Sequence, residues 1–416
     1  MNLILIGAGS RGMVYSSYAH QQGHTIVAVA EPDEARRESA RRLLHIPQES
    51  CFHTAEELLR LPRMADAAII ATMDRCHYAQ AISAMELGYD LLMEKPISPD
   101  PHETLDLADT AQRLGRRVVV CHVLRYTPFF QKIKEILDSG ELGKIISIEQ
   151  TENIGNFHIA HSFVRGNWRN EKLSSPILLQ KSCHDLDLLL WLAGKSVRRI
   201  FSIGSLSFFR PENAPEGSSD RCLDCPVAGN CRFDARKAYL PGIGDWPTAV
   251  LTQDQTKRGI LEALRTGPYG RCVFRCDNDV CDHQSVTMEY EDGATAVFTL
   301  CGMTDRMHRT IHIMCEHGEI HGDDAPGEIM ITRFRSSMTE DSVQERILIG
   351  QIRGGHSGGD VGLMEAFLAE PGSKAVILSD IARSVESHLL VFAAEESRHT
   401  GQAVEMAAWI ERLRKS

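Results

Sequence analysis

The stretch Asn2–Gly12, NLILIGAGSRG, decides the fold of the first part of the chain. An apolar run typical of a buried strand is followed by three glycines at the spacing G-x-G-x-x-G, and a helical pattern continues from Met13 to Gln22. In that order the first glycine permits a tight turn, the second lets the backbone approach a pyrophosphate, and the third lets the helix pack on a sheet. The stretch therefore predicts a dinucleotide site at a helix N-terminus.

A second strand pattern, TIVAVAEPD over Thr25–Asp33, contains Glu31 near its end. An acid at this distance from the glycines can accept hydrogen bonds from ribose hydroxyls and would repel a 2′-phosphate. NAD is therefore favoured over NADP, although Arg36 and Arg37 lie close by and weaken the preference. The alternative is that Glu31 is only an acid at the start of a helix.

Strand and helix patterns alternate from residue 1 to residue 124. Such alternation is typical of right-handed βαβ units, so we predict an α/β Rossmann domain with a parallel sheet over residues 1–124. Ligands bind at the carboxyl ends of the strands in this fold. Thr72, Lys95 and His122 each follow a strand pattern. In YDLLMEKPISPD, the apolar run is followed directly by the charged residues Glu94 and Lys95.

The glycine loop, the EKP of Glu94–Pro96 and the segment CHVLRYTPFF of Cys121–Phe130 resemble the Gfo/Idh/MocA family of NAD(P)-dependent sugar and polyol oxidoreductases. The resemblance extends over nearly the whole chain and is most specific over residues 1–130. It implies that Lys95 hydrogen-bonds the reacting hydroxyl beside the nicotinamide, that Glu94 holds the lysine or its backbone, and that the Lys95–Pro96 bond could be cis. The residues expected to hold the cofactor are Gly7, Gly9, Ser10, Arg11, Gly12, Glu31, Thr72, His77, Glu94 and Lys95.

A second motif of the family has an Asp, a His four residues later and an Asp three residues after that. In LLQKSCHDLDLLLWL, His184 and Asp187 match the later positions, but Gln180 replaces the first acid. This departure puts in doubt any substrate contact made by that acid and suggests a different sugar pocket.

His184 is the best candidate for the base that a hydride transfer from an alcohol requires, because imidazole titrates near neutral pH. Lys95 would polarise the oxygen and stabilise its developing negative charge. The helical spacing of Leu186, Leu189 and Leu190 places His184 in the first turn of a helix and not deep in a core. The alternative is a structural histidine or one that supports another site residue.

Polar and aromatic residues around these motifs could contact sugar hydroxyls. The predicted substrate-binding residues are Arg125, Trp168, Arg169, Lys181, His184 and Asp185. His158 and His161 lie in the same aromatic-rich segment as Trp168 and are weaker candidates, since the segment could be an ordinary surface loop. GHSGGD, which ends at Asp360, resembles a loop that comes near the pocket in related proteins, or it is only a connector.

Six cysteines lie in two clusters, at Cys222, Cys225, Cys231, Cys272, Cys276 and Cys281. A C-x2-C pair with two further thiols can form a tetrahedral zinc site. We expect a structural zinc on Cys222, Cys225, Cys231 and Cys272. An iron–sulfur cluster, free thiols or a conditional disulfide stay open. The arrangement also resembles a branch of the family that has cysteines in an insertion here.

The remaining strand patterns predict an α+β domain over residues 125–416 with a large, mostly antiparallel open sheet. Within it, the cysteine-rich insertion covers about 218–282, and C-terminal helices cover about 361–414. An open sheet face is a natural surface for self-association, so we expect a homodimer or homotetramer.

Composition excludes several classes of function. A formal net charge of −11 argues against binding to a phosphate backbone, so no nucleic-acid partner is expected. We find no run of 18 apolar residues and expect no membrane partner. The first residues lack the features of a secretion signal, and this predicts a cytoplasmic protein.

The favoured function is an NAD-dependent dehydrogenase acting on a sugar, polyol or sugar derivative. A second possibility is an NAD-dependent glycoside hydrolase that oxidises the sugar transiently and eliminates the aglycone, for which Gln180 leaves room. A third is a non-catalytic NAD-sensing regulator, although such proteins can lose the lysine and histidine that this chain keeps.

Overall fold

The computed structural model describes residues 1–350, 356–370, 373 and 375–415. These residues form two sheets, one of six strands and one of nine. The first sheet contains β1 Asn2–Ile6, β2 Thr25–Ala30, β3 Cys51–Phe52, β4 Ala67–Ile70, β5 Asp90–Met93 and β6 Val118–Val120. The helices between them are α1 Ser10–Gln21, α2 Glu34–Leu43, α3 Ala55–Leu59, α4 His77–Glu86 and α5 Pro101–Leu114.

All strand pairs of the first sheet are parallel, in the order β3-β2-β1-β4-β5-β6. This confirms the predicted Rossmann domain. The strand order reverses between β1 and β4, and ligands bind in the crevice outside the carboxyl ends at such a point. The glycine loop follows β1, Thr72 follows β4, and Glu94 and Lys95 follow β5, so these residues share one edge of the sheet.

The second sheet contains β7 Ile145–Asn153, β8 Val197–Ser205, β9 His283–Tyr290, β10 Thr295–Cys301, β11 His308–Cys315, β12 Gly318–Asp323, β13 Glu328–Arg333, β14 Val343–Leu348 and β15 Val404–Glu405. Its order is β14-β13-β12-β11-β7-β10-β9-β8-β15, and β7 with β10 is the parallel pair among otherwise antiparallel neighbours. Alternate residues are buried along β9 and β11, as expected for a sheet covered on one face. The predicted mostly antiparallel sheet is confirmed.

The helices of the second part are α6 Pro128–Asp138, α7 Asn156–Ile159, α8 Ile177–Gln180, α9 Cys183–Ala193, α10 Ala235–Tyr239, α11 Lys257–Thr266, α12 Gly359–Leu368, α13 Ile381–Thr400 and α14 Met406–Lys415. The segment Ala160–Arg165 is a π-helical turn. Helix α9 is buried almost all round because apolar residues occupy most of its positions.

The C-terminal helices also complete the Rossmann domain. Leu363, Met364 and Phe367 of α12 belong to the same buried cluster as Leu3 and Leu5 of β1. Just before α13, the chain accepts a hydrogen bond from the Val120 N–H of β6 at 2.9 Å. The domain boundary at residue 124 stays a prediction. Helix α12 comes from the second part of the chain but packs against the first sheet.

The insertion lies between β8 and β9, over residues 206–282, and contains α10 and α11 among short 3-10 turns. Its own buried cluster is small and centres on Tyr239, Ile260 and Leu264. Other buried apolar residues of the insertion, such as Phe209, Phe233 and Phe274, belong to the main core of the chain. No helix within the described part of the chain is both long and apolar enough to cross a bilayer.

Candidate active site

The three glycines of the first loop each meet a different steric demand. Gly7 has φ +91°, and a Cβ atom there would lie 2.6 Å from the carbonyl oxygen of Ala71. A Cβ on Gly12 would lie 2.0 Å from the carbonyl oxygen of Gly7, so a side chain cannot fit between helix and strand. A Cβ on Gly9 would meet none of the described atoms within 4 Å, which leaves open space before the N-terminus of α1. The loop therefore fits a dinucleotide pyrophosphate.

Glu31 holds the glycine loop to the end of β2. Its carboxylate is buried, accepts the Ala8 N–H at 2.8 Å and the Asp33 N–H at 3.0 Å, and lies 3.2 Å from the Arg36 guanidinium. The carboxylate thus ties two neighbouring turns together. Its contact with a ribose stays a prediction.

Arg11 joins the glycine loop to two carboxylates. Its Nε donates to Glu94 at 2.8 Å, and its Nη2 donates to Asp360 at 2.5 Å. Tyr15 also donates to Glu94, at 2.6 Å. Burial alone would raise the pKa of Glu94, but the charges of Arg11 and Lys95 outweigh it and hold that pKa below its usual value. The Arg11 side chain is therefore committed to protein partners. Asp360 brings the end of the predicted GHSGGD loop to the site, while Gly355 lies outside the described residues.

His77 braces the ends of β4 and β5. Its two ring nitrogens lie 2.7 Å from the Pro96 carbonyl oxygen and 3.1 Å from the Thr72 carbonyl oxygen. The Lys95–Pro96 bond is cis. The Thr72 hydroxyl donates to the Gln80 side chain at 2.6 Å. His77 is buried and supports the loops that follow the strands, and its predicted cofactor contact is untested.

Lys95 reaches the chain segment just before His184, where the Rossmann sheet packs against the second part of the chain. The Lys95 ammonium donates to the Gln180 carbonyl oxygen at 2.5 Å. His184 lies in the first turn of α9, as predicted, but only 7% of it is exposed. The expectation that it lies outside the core is wrong, because His122 packs edge-on against it with ring centroids 5.5 Å apart.

The surroundings of His184 favour a neutral imidazole. Its Nδ1 is buried and has no hydrogen-bond partner among the described residues. Burial lowers the pKa of His184 well below its usual value, and Lys95 is the strongest charge acting in the same direction. A neutral ring can accept a proton, but the lowered pKa removes the near-neutral titration on which the choice of His184 from the sequence rested and makes the ring a weaker base.

Arg125 is buried in an ion pair rather than open to a pocket. Its guanidinium donates to both oxygens of Asp187, at 2.6 and 2.7 Å, and to the Leu378 carbonyl oxygen at 2.7 Å. His122 lies 3.8 Å from the same carboxylate, and burial lowers the pKa of its ring to about 4. The pairing leaves no free donor nitrogen aimed at a substrate, so the predicted substrate contact of Arg125 gains no support.

Asp185 also lies in a buried charge network. It accepts from Gln150 at 2.7 Å and from Arg309 at 2.7 and 3.2 Å. Arg309 pairs in turn with Glu152, which lies 3.2 Å from the Lys181 ammonium. Burial lowers the pKa of Lys181, although Glu152 acts against it. Asp185 therefore orients Arg309, whereas Lys181 stays at the border of the site.

Glu152 and Arg309 were not among the predicted site residues. The sequence pattern could have indicated them, because each charged residue lies on the buried face of its strand. Glu152 shares that face of β7 with Ile148, and Arg309 shares that face of β11 with Ile311. Charge on such a face must be paired or used.

Aromatic residues and the Met307 sulfur lie next to Lys181. His158 Nδ1 lies 3.1 Å from the Met307 sulfur, and its ring packs at 5.1 Å from the exposed Trp246. Burial and the charge of Lys181 lower the pKa of His158 to about 2. Trp246, from the insertion, was not predicted, since its position depends on how the insertion folds back over α7.

Arg169 faces the insertion instead, whereas Trp168 packs on the π-helical turn. Trp168 packs against Phe163 with ring centroids 6.4 Å apart, and Arg169 pairs with Asp277 at 2.8 Å. His161 stacks on Tyr269 at 4.8 Å. These contacts hold the insertion in place. The four cysteines predicted as metal ligands line a separate cavity within it, at Cys222, Cys225, Cys231 and Cys272.

Family models match both halves of this arrangement. Residues 1–122 match an oxidoreductase family with an NAD-binding Rossmann fold, and residues 130–321 match the GFO/IDH/MocA C-terminal domain. The chain belongs to the Gfo/Idh/MocA oxidoreductase family. The predicted family is thereby confirmed.

Several proteins of known name are similar to this family member. YteT of Bacillus subtilis, which carries the name of an oxidoreductase, is 25% identical over 78% of this chain and 76% of its own length. Inositol 2-dehydrogenase 4 of Saccharopolyspora erythraea is 28% identical over 52% of this chain, and the match covers 60% of that relative's own length. Inositol 2-dehydrogenase of Corynebacterium glutamicum is 26% identical over 46% of this chain and 54% of its own length.

Solved structures share the fold over the whole chain. Levoglucosan dehydrogenase in complex with NADH superimposes with a TM-score of 0.71 at 17% identity, covering 98% of this chain and 99% of that one. An oxidoreductase from Agrobacterium radiobacter in complex with NAD+, L-tartaric acid and magnesium gives a TM-score of 0.70 at 15% identity, with coverage of 98% and 99%. At these identities the likeness establishes the fold alone.

Proposed function

We propose that this protein is an NAD-dependent dehydrogenase that transfers a hydride from a hydroxyl-bearing carbon of a sugar, polyol or sugar derivative. The observation that carries the proposal is that Lys95 bonds to the Gln180 carbonyl oxygen and lies near enough to His184 for its charge to lower the pKa of that ring. One follows a central strand of the Rossmann sheet and the other begins a buried helix of the second domain. Both lie at the sheet edge that carries the glycine loop, where a bound nicotinamide belongs.

In this proposal Lys95 polarises the substrate oxygen. Its ammonium group donates to the Gln180 carbonyl oxygen, and a substrate hydroxyl would compete for the same donors. Glu94 accepts the backbone N–H of Lys95 at 3.0 Å, which fixes the start of the side chain. A preorganised cation beside the oxygen stabilises the charge that develops as the O–H bond breaks.

His184 takes the hydroxyl proton. Its low pKa keeps the ring neutral, and Lys95 contributes to that low value, so the two residues act as a unit. Bound NAD would supply the hydride acceptor. The chain itself orients the alcohol between a cation and a neutral base and removes the proton.

The substrate class is inferred from the polar lining and from the relatives. Lys181 and His158 offer donors or acceptors beside Lys95, and Trp246 offers an apolar face. Rings with several hydroxyls fit such a mixture of contacts. Relatives named as inositol and levoglucosan dehydrogenases support the same class.

A glycoside hydrolase that oxidises the sugar transiently is a second candidate. The site holds two titratable groups, His158 and Lys181, beyond the pair that dehydrogenation uses. Elimination of an aglycone requires such additional acid and base groups. Gln180 stands where the family motif has an acid, so the substrate pocket of this chain should differ there from that of relatives with the full motif.

The test is a panel of polyols, free sugars and aryl glycosides incubated with NAD-loaded protein, with NADH absorbance and aglycone release followed together. We expect NADH formation, and Lys95→Met should lower kcat/KM by about 100- to 1,000-fold. Lys132→Met, which alters a surface lysine paired with Glu135, is the matched control and should leave the rate unchanged. Aglycone release without net NADH would favour the hydrolase. NAD binding without turnover of any compound would favour the sensing regulator.

A further inference from the structure

The insertion encloses a cavity of about 20 Å³. All four cysteines predicted as metal ligands line it: Cys222, Cys225, Cys231 and Cys272. A space of this size holds about one water molecule or one metal ion. Cys276 and Cys281 do not line the cavity, although they lie close to Cys272 in sequence.

Backbone pairing brings the two cysteine segments together. Arg221 and Arg271 form an isolated antiparallel bridge, and the Cys272 N–H donates to the Asp220 carbonyl oxygen at 2.7 Å. Because the pairing is antiparallel, Cys222 and Cys272 leave the bridge in opposite directions, and both still line the same cavity. Two segments about 50 residues apart are thus joined beside the cavity, where the buried rings of Phe209, Phe233 and Phe274 also pack on one another.

Arg165 supplies an independent indication of negative charge in the cavity. It lines the cavity and is only 1% exposed. Its guanidinium donates to the Arg271 carbonyl oxygen at 2.8 Å, to the Phe233 carbonyl oxygen at 2.7 Å and to the Cys222 sulfur at 3.3 Å. No carboxylate among the described residues lies within 4.0 Å of it. A buried cation needs a countercharge, and thiolates on a metal would provide one.

We propose that Cys222, Cys225, Cys231 and Cys272 bind a single structural zinc ion, with Arg165 as the countercharge. The four thiols lose their protons when the ion binds, and a zinc tetrathiolate has a net charge of about −2, which Arg165 partly offsets. The C-x2-C pair supplies two ligands from one turn, and the bridged segment supplies a third beside them.

The four sulfur atoms must move closer together when the zinc ion binds. Among the described residues, three ligand atoms lie within 4.8 Å of one another only at His312, Glu319 and His321, on the outer part of the second sheet. No three of the cavity cysteine sulfurs form such a group, and tetrahedral Zn–S bonds of about 2.3 Å require a tighter set. The short turns that carry the cysteines allow this closure.

The zinc also governs the substrate side, a consequence that rests on the proposed function. Arg165 ends the π-helical turn that contains His161, and His161 and His158 pack against Trp246 of the insertion. A loosened cysteine cavity would free Trp246 and raise the KM for the sugar. Binding of NAD, at the far side of Lys95, would change little.

The decisive measurement is the metal content of the purified full-length chain. We expect about one zinc per chain. The double variant Cys222→Ser/Cys225→Ser should lose it, whereas Cys276→Ser, in the same segment but outside the cavity, should keep it. His312→Ala/His321→Ala controls for zinc held by the surface cluster and should also keep one equivalent.

If the double cysteine variant does not fold, the proposal is tested on the wild-type protein instead. The four cavity cysteines should resist alkylation while zinc is bound, and removal of the zinc with a strong chelator under reducing conditions should open them to alkylation, located by peptide mapping. Absence of zinc, stoichiometric iron with sulfide, a thiol count that reveals a disulfide, or loss of zinc only in the histidine variant would each overturn the proposal. A zinc-loaded protein without sugar oxidation would overturn the proposed function and leave the zinc site intact.

Discussion

The Lys95 ammonium and the Gln180 carbonyl oxygen form a hydrogen bond of 2.5 Å across the boundary of the two domains. One partner follows a strand of the Rossmann sheet, and the other ends α8, four residues before His184. This bond places the cation near His184. The proposed catalytic pair exists only in the folded chain, because the two residues are 89 positions apart.

The low pKa of His184 predicts an unusual pH profile for oxidation. Burial and the charge of Lys95 keep the ring neutral below its ordinary titration range, so the acid limb of kcat/KM should lie below pH ~6.5. Lys95→Arg keeps the charge and should leave the acid limb of kcat/KM at the same pH. Lys95→Met removes the charge, so the acid limb of its residual activity should move to higher pH. A limb above pH ~6.5 in the wild type would count against His184 as the base.

Glu31 should determine the choice between NAD and NADP. Glu31→Gln keeps one acceptor for the Ala8 N–H but removes the charge that opposes a 2′-phosphate and frees Arg36. We expect the ratio of kcat/KM for NAD to that for NADP to fall about tenfold, or ~1.4 kcal/mol. Glu34→Gln, in the exposed first turn of α2, is the matched control. An unchanged ratio in both variants would mean that Glu31 only supports the loop.

Acid should destabilise the fold through His388. Its Nδ1 lies 2.8 Å from the Ser384 carbonyl oxygen, and its Nε2 accepts the Ile97 N–H at 3.0 Å, so a second proton would break the latter bond. Burial first, and then the charge of His122, lower its pKa to about 3. The unfolded chain binds this proton below pH ~6.5 while the folded chain does not, so stability is complete above that pH and falls as pH decreases towards 3.

The measurement is the free energy of unfolding by denaturant between pH 7 and pH 4.5. His388→Gln should lower the slope of stability against pH by about 1.4 kcal/mol per pH unit relative to the wild type. His317→Gln, at an exposed position, should leave the slope unchanged. Equal slopes in all three proteins would show that His388 is not the acid-sensitive group.

The Arg125–Asp187 pair should matter for stability rather than for substrate binding. Arg125→Met leaves a buried carboxylate without its partner and should cost about 3–5 kcal/mol in the free energy of unfolding. The double variant Arg125→Met/Asp187→Leu removes both charges and should recover most of that loss. A large increase in substrate KM with little change in stability would instead restore Arg125 as a substrate residue.

Local sequence patterns predicted the strands and helices better than they predicted the ion-pair partners of charged residues. The glycine loop and the strand ends follow from short-range spacing, and the structure places Gly7, Thr72 and Lys95 at one sheet edge. Arg125 and Asp185, by contrast, are polar residues near the motifs that turn out to be buried in ion pairs with Asp187 and Arg309. Their partners lie 62 and 124 positions away, beyond the reach of any local pattern.

The sequence by itself determined the Rossmann domain, the family and the position of Lys95, because steric needs of glycines and alternating apolar strands act over a few residues. Only the tertiary structure decided that His184 is buried, that α12 packs on the first sheet, and that four cysteines share one cavity with Arg165. The physical reason is that burial and charge pairing depend on segments that meet only when the chain has folded.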